Sequence, residues 1–343
     1  GCRMSTLRVE ALEQPDGTAF VFNNKNLLIN GGMNIWQRST SEPVSADILA
    51  TVDRWQNGIN GMGAFTVSRS TDVPSAQGFG YSCKYDCTTA DTSPAAGDYI
   101  VHYQKIEGQN LQHLLKGTSS AKAVTVSFWV KSNKTGTYIL DLFDNDNTRQ
   151  ISKAYTIDSA STWEKKTITF PGDTVGALDN DNAQSMRLHW WMGAGSTYSS
   201  GTLNTSWAAS TNANRAVGQV NLADSTSNEW YVTGCQLEVG EKATDFEFEP
   251  VGTTEKKCQR YYQAWSSGYG VSAYRVGGSD TYRRFPGWFK VRMRANPSMS
   301  NLTSTAGNFT AEFSTVDNFS CQRNVGSNNS WVRFRSYNAD AEL

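Results

Sequence analysis

The chain has 343 residues, more than one hydrophobic core usually holds, which predicts two domains or one large β domain with appendages. Hydrophobic residues make up 38% and charged residues 18%, and the 29 Gly, 11 Trp, 14 Tyr and 15 Phe complete a β-rich balance that excludes a mainly helical protein. Lys plus Arg (31) against Asp plus Glu (32) leaves a net charge of −1, without the basic excess that phosphate neutralisation needs, so no nucleic-acid partner is expected.

In chain order, the start Met4-Ser5-Thr6-Leu7-Arg8 lacks the apolar stretch of a signal peptide, and no run of 18 apolar residues follows. The expectation is a chain that neither inserts into a membrane nor uses the ordinary secretory route. Residues 1–26 hold one strand-like stretch, Thr18 to Phe22, and the turn signal Pro15-Asp16-Gly17, which suits a docking arm. Residues 27–250 read as short strands between polar turns: Ala64 to Ser68, Tyr99 to Lys105, Val124 to Lys131, Tyr138 to Phe143, Lys166 to Phe170, Met186 to Met192 and Trp230 to Val239. Strands at this regularity predict a sandwich or barrel. One helix is expected in that block, Ile106 to Leu115, with Ile106, Leu111, Leu114 and Leu115 on its apolar side and Gly117 as its stop.

Glu249-Pro250-Val251-Gly252 breaks the pattern and sets a boundary near 251. Thr254 to Trp265 then reads as a second short helix with Cys258, Tyr261, Tyr262 and Trp265 as its apolar face. Phe285 to Met293, Phe309 to Phe313 and Trp331 to Tyr337 are strand-like again, so residues 251–343 are expected to form a smaller β domain.

The six cysteines, Cys2, Cys83, Cys87, Cys235, Cys258 and Cys321, contain no C-x-x-C pair, and no metal site is expected from them. Cys83 and Cys87 in an extended strand would lie ~13 Å apart, beyond the ~7 Å that a disulfide spans. All six read as free thiols, which fits assembly in a reducing cytoplasm. Only three histidines occur, His102, His113 and His189, and no nucleophile elbow or phosphate-binding loop accompanies them. The acidic residues gather in turns such as Asp144-Asn145-Asp146-Asn147 and Asp179-Asn180-Asp181-Asn182, where turn chemistry accounts for them. The chain therefore reads as a non-enzyme with no cofactor and no catalytic residue. Calcium at those turns lacks the EF-hand order of ligands.

Alternation gives the aromatics more content. In Arg187 to Met192, Leu188, Trp190 and Met192 share one face of a strand and Arg187, His189 and Trp191 the other. Val124, Val126, Phe128 and Val130 likewise point inward, which leaves Trp129 with Thr125, Ser127 and Lys131 outside. Trp191 and Trp129, with His189 and Arg187, are the candidate ligand-binding residues: an indole stacks on the C–H face of a sugar while His189, Arg187 and Gln104 meet its hydroxyls. The alternative is that the two tryptophans lie under long loops or at a subunit interface.

The stretch Asn26-Leu27-Leu28-Ile29-Asn30-Gly31-Gly32-Met33-Asn34-Ile35-Trp36-Gln37-Arg38, followed by Asp53-Arg54-Trp55, resembles the opening of a domain of bacteriophage tail-fibre and other virion structural proteins. Gln236-Leu237-Glu238-Val239-Gly240, Ala243-Thr244-Asp245-Phe246-Glu247 and Cys258-Gln259-Arg260-Tyr261-Tyr262-Gln263 resemble the join of that domain to a C-terminal tip. Ile106-Glu107-Gly108-Gln109, Ser127 to Ser132, Thr162-Trp163-Glu164 and Gly193 to Ser196 fall between them in the expected order, so the resemblance covers residues 26 to about 263.

The Asn-Leu-Leu-x-Asn-Gly opening and the Trp230-Tyr231-Val232 strand are also similar to the jelly-roll carbohydrate-binding modules of polysaccharide hydrolases. Those modules often carry an Asp where Thr233 or Gly234 stands here. The resemblance implies a jelly-roll β-sandwich with an N-terminal arm and a C-terminal β tip. It further implies a virion location after assembly in the host cytoplasm, a homotrimer, other virion proteins as partners of the arm, and a host-surface glycan as ligand. A head-decoration or connector protein with a purely structural jelly roll, and a surface-polysaccharide hydrolase, are the alternatives.

Overall fold

The computed structural model describes residues 25–49, 51–266, 282–304, 307–324 and 334–343. The arm expected over residues 1–24, including Thr18 to Phe22 and Cys2, lies outside them. The first strands are β1 (Ser41–Val44), β2 (Gln56–Asn60), β3 (Ala64–Ser70), β4 (Ser82–Thr89) and β5 (Tyr99–Glu107). There follow β6 (Val124–Ser132), β7 (Gly136–Asp144), β8 (Arg149–Ile157), β9 (Glu164–Phe170) and β10 (Gln184–Ala194). A one-turn helix α1 (Ser196–Ser199), a short β11 (Ala208–Ala209) and the long β12 (Glu229–Val239) complete this part. They form two six-stranded antiparallel sheets, in the orders β1-β3-β4-β12-β6-β9 and β11-β8-β7-β10-β5-β2. The architecture is a β-sandwich, one of the two forms that the regular strand spacing predicts, and the jelly roll that the resemblance implies.

Alternation decides what fills the sandwich. Val124, Val126, Phe128 and Val130 enter from β6, and Leu188, Trp190 and Met192 from β10, all in the same buried cluster. Trp190 sits at its centre, with ring centroids 5.4 Å from Trp55 and 5.5 Å from Phe128, both edge-on, an arrangement that adds about 0.5–1.5 kcal/mol per pair beyond area burial. His102 is a core residue as well, stacked on Trp55 at 4.7 Å with its Nδ1 2.9 Å from the Tyr85 hydroxyl. Gln104 shares the inward parity of His102 and exchanges hydrogen bonds with the backbone N–H and carbonyl of Ile29, so it is not available to an outer-face ligand.

The helix expected over Ile106 to Leu115 does not form. Ile106 and Glu107 continue β5 against β10, and two 3-10 turns follow at Gly108–Asn110 and Gln112–Leu114. Gly108 is pressed so closely on the Asp179 carbonyl that a Cβ would lie 2.0 Å from it, and Leu115 turns out to solvent with φ +52. The second expected helix is shorter too: α2 covers Val251–Gln259, and Tyr262–Trp265 extends as β13 against the strand near the chain's end.

The remaining strands are β14 (Tyr282–Trp288), β15 (Ser298–Ser304), β16 (Gly307–Asn308), β17 (Thr310–Ser314), β18 (Asn318–Asn324) and β19 (Phe334–Asp340). They make two small sheets, β13-β19-β15-β16 and β14-β18-β17, around Phe285, Phe309, Phe319, Phe334 and Tyr337. An apolar groove of about 370 Å³ opens beside this core, where Trp288 is 73% exposed. Cys83, Cys87, Cys235, Cys258 and Cys321 are free and buried.

The motifs that carry the family resemblance hold the chain together. Asn26 accepts from the Leu237 N–H and donates to the Cys235 carbonyl, and the Leu27 N–H donates to the Leu237 carbonyl at 2.8 Å. Asn30 ties Asn34, Ile35 and Asp53 to one side chain. Arg54, 2% exposed at its side chain, ion-pairs with Glu342 and lies 3.4 Å over the Tyr261 ring, while Arg38 meets Asp340 at 3.1 Å and covers Tyr262 at 3.7 Å. Glu107 takes Arg260 at 3.0 Å and the Tyr261 hydroxyl. The sandwich and the C-terminal strands thus meet through charges of which the Arg54–Glu342 pair is buried on both sides, and removing one partner of such a pair costs about 3–5 kcal/mol because the other stays buried and unpaired. Glu342→Ala is expected to lose about that much in a denaturant titration; a loss below about 1 kcal/mol, the size of a surface pair, would contradict the clasp.

Candidate functional site

The side of β10 that faces away from the core builds the candidate site. β10 is paired on both edges, so its register leaves no choice of face: Trp191 stands opposite Val101 and His189 opposite Tyr103 of β5, while Arg187 stands opposite Phe143 and His189 opposite Asp141 of β7. The segment after β10 then folds back over this face, with Tyr198 of α1, Leu203 and Ala216 packed on Trp191, and the Ala216 N–H donating to the Tyr198 carbonyl. A cleft of about 120 Å³ remains, lined by Asp47, Tyr99, Val101, Tyr103, Arg187, His189, Trp191, Tyr198 and Arg215. Sites that enclose a drug-sized ligand run to about 300–1,000 Å³, so this cleft takes one face or one end of a larger molecule.

Three of the four expected residues come together here. Trp191 lines the cleft but is only 2% exposed, with Tyr198 5.3 Å and Tyr99 6.4 Å from its ring, and its indole N–H has no hydrogen-bond partner among the described residues. It lies under a long loop, as one of the two readings of its outward parity expects, and the half-buried Tyr99 and Tyr198, 5.5 Å apart, are the more accessible rings. His189 stacks loosely on Tyr103 at 5.0 Å, with its Nδ1 3.3 Å from Asp141. Arg187 lies 4.7 Å over the Phe143 ring. The fourth residue, Trp129, is half-buried on the outer face of the opposite sheet, between Thr233 and Lys165 in register, and takes no part in the cleft.

Asp141 organises the charges beneath. It is fully buried and accepts from Arg215 and from Ser152. Burial alone would raise its carboxyl, but Arg215 and His189 carry it down to about 2. Burial draws His189 down to about 4, against the opposing pull of Asp141, so the imidazole is neutral at pH 7. Arg187 is also drawn down by burial and by the neighbouring Arg215. Asp47, also in the cleft lining, accepts from Gln56 at 3.2 Å and from the Tyr103 hydroxyl at 3.3 Å.

Sequence reasoning missed Asp47, Tyr99, Tyr103, Tyr198 and Arg215. Tyr99 and Tyr103 carried a usable signal, since both stand at odd positions of β5, the parity opposite to His102 and Ile106. Tyr198 and Arg215 come from an aperiodic loop and carried none. The Asp/Asn turns serve structure: Asp144 pairs with Lys116 and receives the Asn147 N–H, and Asp181 caps the Ala183 N–H.

No protein-family model matches the chain, and no curated protein matches it. Among solved structures it is similar to the enzymatically active domain of tailspike protein 4 of Bacteriophage CBA120 at 13% identity, with a TM-score of 0.35, over 65% of this chain and 23% of that one. TmCBM61 in complex with β-1,4-galactotriose matches at 10% identity and a TM-score of 0.33, over 63% of this chain and 99% of the module. The family 11 carbohydrate-binding module of the cellulosomal cellulase Lic26A-Cel5E of Clostridium thermocellum matches at 12% and 0.29, over 58% and 98%.

The two buried imidazoles contribute to the acid behaviour. His189 at about 4 and His102 at about 3, both lowered by burial, bind fewer protons folded than unfolded, where the ordinary value is near 6.5. Their contribution to stability is full above pH 6.5 and is lost as pH falls through the two folded values. Asp53, raised by burial to about 6, gains stability over the upper part of that range, while Asp141 and Glu107, both held below the ordinary carboxylate value, lose it on acidification as the imidazoles do. The melting temperature is therefore expected to fall from pH 7 to pH 4 by circular dichroism, and a constant or rising value would contradict the burial of both rings.

Proposed function

We propose that this chain is a structural protein of a bacteriophage virion, a tail fibre or related appendage, and that its sandwich holds a host-surface glycan in the cleft over β10 and β5. The observation that carries the ligand is the makeup of the cleft: the rings of Tyr99 and Tyr198 offer apolar faces for sugar C–H groups, Arg187 and Arg215 donate, and Asp47 accepts. That pairing of flat aromatic surface with a few fixed polar groups suits a polyhydroxylated ring. The virion reading rests on the ordered motifs between residues 26 and 263. The protein works by binding and not by catalysis. Weak single sites gain adsorption strength when copies act together, which a homotrimer anchored by its N-terminal arms to other virion proteins supplies.

The test is retention of the full chain on an array of bacterial surface oligosaccharides. Wild-type protein is expected to bind, and Tyr99→Ala to weaken binding about fivefold, the equivalent of about 1 kcal/mol for one aromatic contact, with an unchanged melting temperature. Retention of no glycan, or release of reducing ends from those retained, would contradict the reading. In analytical ultracentrifugation the full chain is expected at three times its mass, and a stable monomer at micromolar concentration would refute the trimer.

A further inference from the structure

We infer that the glycan held in the β10–β5 cleft is acidic, carrying a carboxylate or sulfate that pairs with Arg187; this rests on the glycan-binding reading above and names the ligand class. Arg187 is half-buried, and its Nε is sealed from solvent without a hydrogen-bond partner among the described residues. Among the described residues its one polar contact is a long one, from Nη2 to the Asn145 side-chain oxygen at 3.4 Å, and no carboxylate lies within ion-pair distance of it. Arg38, Arg54, Arg149, Arg215 and Arg260 each meet a carboxylate. Arg187 is the cleft's unmatched guanidinium.

The neighbouring charges do not supply its counter-ion. Asp141 and Asp47 favour the charged Arg187 only from beyond ion-pair distance, Asp141 being committed to Arg215 and His189, and Arg215 itself repels Arg187. His189 is neutral at pH 7 and adds no charge. Asp47 lines the same cleft, held by Gln56 and Tyr103. A guanidinium taken partly out of water without a partner is unfavourable, and a bound anion relieves that cost through two parallel charge-assisted hydrogen bonds, a geometry that the planar fork matches and an ammonium does not. The same layout orients the ligand. The anionic substituent faces Arg187 and Arg215, and the hydroxyls of the ring face the acceptor Asp47, which would repel the anion from its own side.

Matched ligands test this. Uronate-containing bacterial oligosaccharides, their carboxyl-reduced neutral counterparts and sulfated oligosaccharides are titrated into the full chain by calorimetry. Wild-type protein is expected to bind the acidic members at least tenfold more tightly than the reduced ones, and to lose part of that preference in high salt. Arg187→Gln is expected to erase the preference by lowering affinity for the acidic members at least tenfold more than for the neutral ones, Arg187→Lys to restore it in part, and Asp47→Asn to strengthen acidic binding. Melting temperatures of the variants separate these effects from unfolding. The uronate and sulfate arms tell which anion is preferred. Equal binding of acidic and reduced members by wild-type protein, or an Arg187→Gln loss equal for both, would overturn the inference and leave glycan binding standing. Failure of the wild-type chain to bind any member would overturn both.

Discussion

The two-residue period of one central strand governs both halves of this structure. β10 is hydrogen-bonded along both edges, by β5 and by β7, so its side chains have two directions and no freedom between them. Trp190 belongs in the core, against Trp55 and Phe128, and once it is there His189 and Trp191 must stand on the opposite face. Slipping the register by one residue would expose Leu188, Trp190 and Met192 and bury a guanidinium in the sandwich. The same packing that stabilises the fold therefore fixes the floor of the cleft, and the site needs no flexible element to place its central residues.

What lies above that floor comes from elsewhere. The segment after β10 closes over Trp191 and brings Tyr198 and Arg215, while Asp47 arrives from the loop after β1. A rigid strand carrying a loop-built rim is a common division of labour in binding proteins, because loops can vary without disturbing the sheet. The family-like motifs belong to neither part. Asn26, Asn30, Arg38, Asp53 and Arg54 at the opening, and Arg260, Tyr261 and Tyr262 after the sandwich, form the staple and the charged clasp that join the first strands to the last ones.

Much of this was legible from alternation alone. Leu188, Trp190 and Met192 inside, Phe128 inside, and Arg187, His189 and Trp191 outside are all as the pattern predicts. Where the pattern misled, tertiary contact had overridden it. Ile106, Leu111 and Leu114 have helical spacing and are all buried, yet pairing with β10 keeps Ile106 extended and the close approach of Gly108 to Asp179 leaves only short turns beyond it. Trp129 shows the limit of parity as a guide to function, since facing outward on β6 puts it on the wrong sheet for the cleft. The depth of Trp191 depends on a loop that closes without any periodic signal.

The central claim is spatial, that a saccharide occupies the outer face of β10 and β5, and a crystal structure of the full chain with a bound acidic oligosaccharide tests it most directly. The account predicts a sugar ring against Tyr99 and Tyr198 with its anionic group within hydrogen-bond distance of Arg187 and its hydroxyls toward Asp47. A sugar bound instead beside Trp129 on the opposite sheet, or in the apolar groove beside Trp288, with the β10–β5 cleft empty, would contradict it.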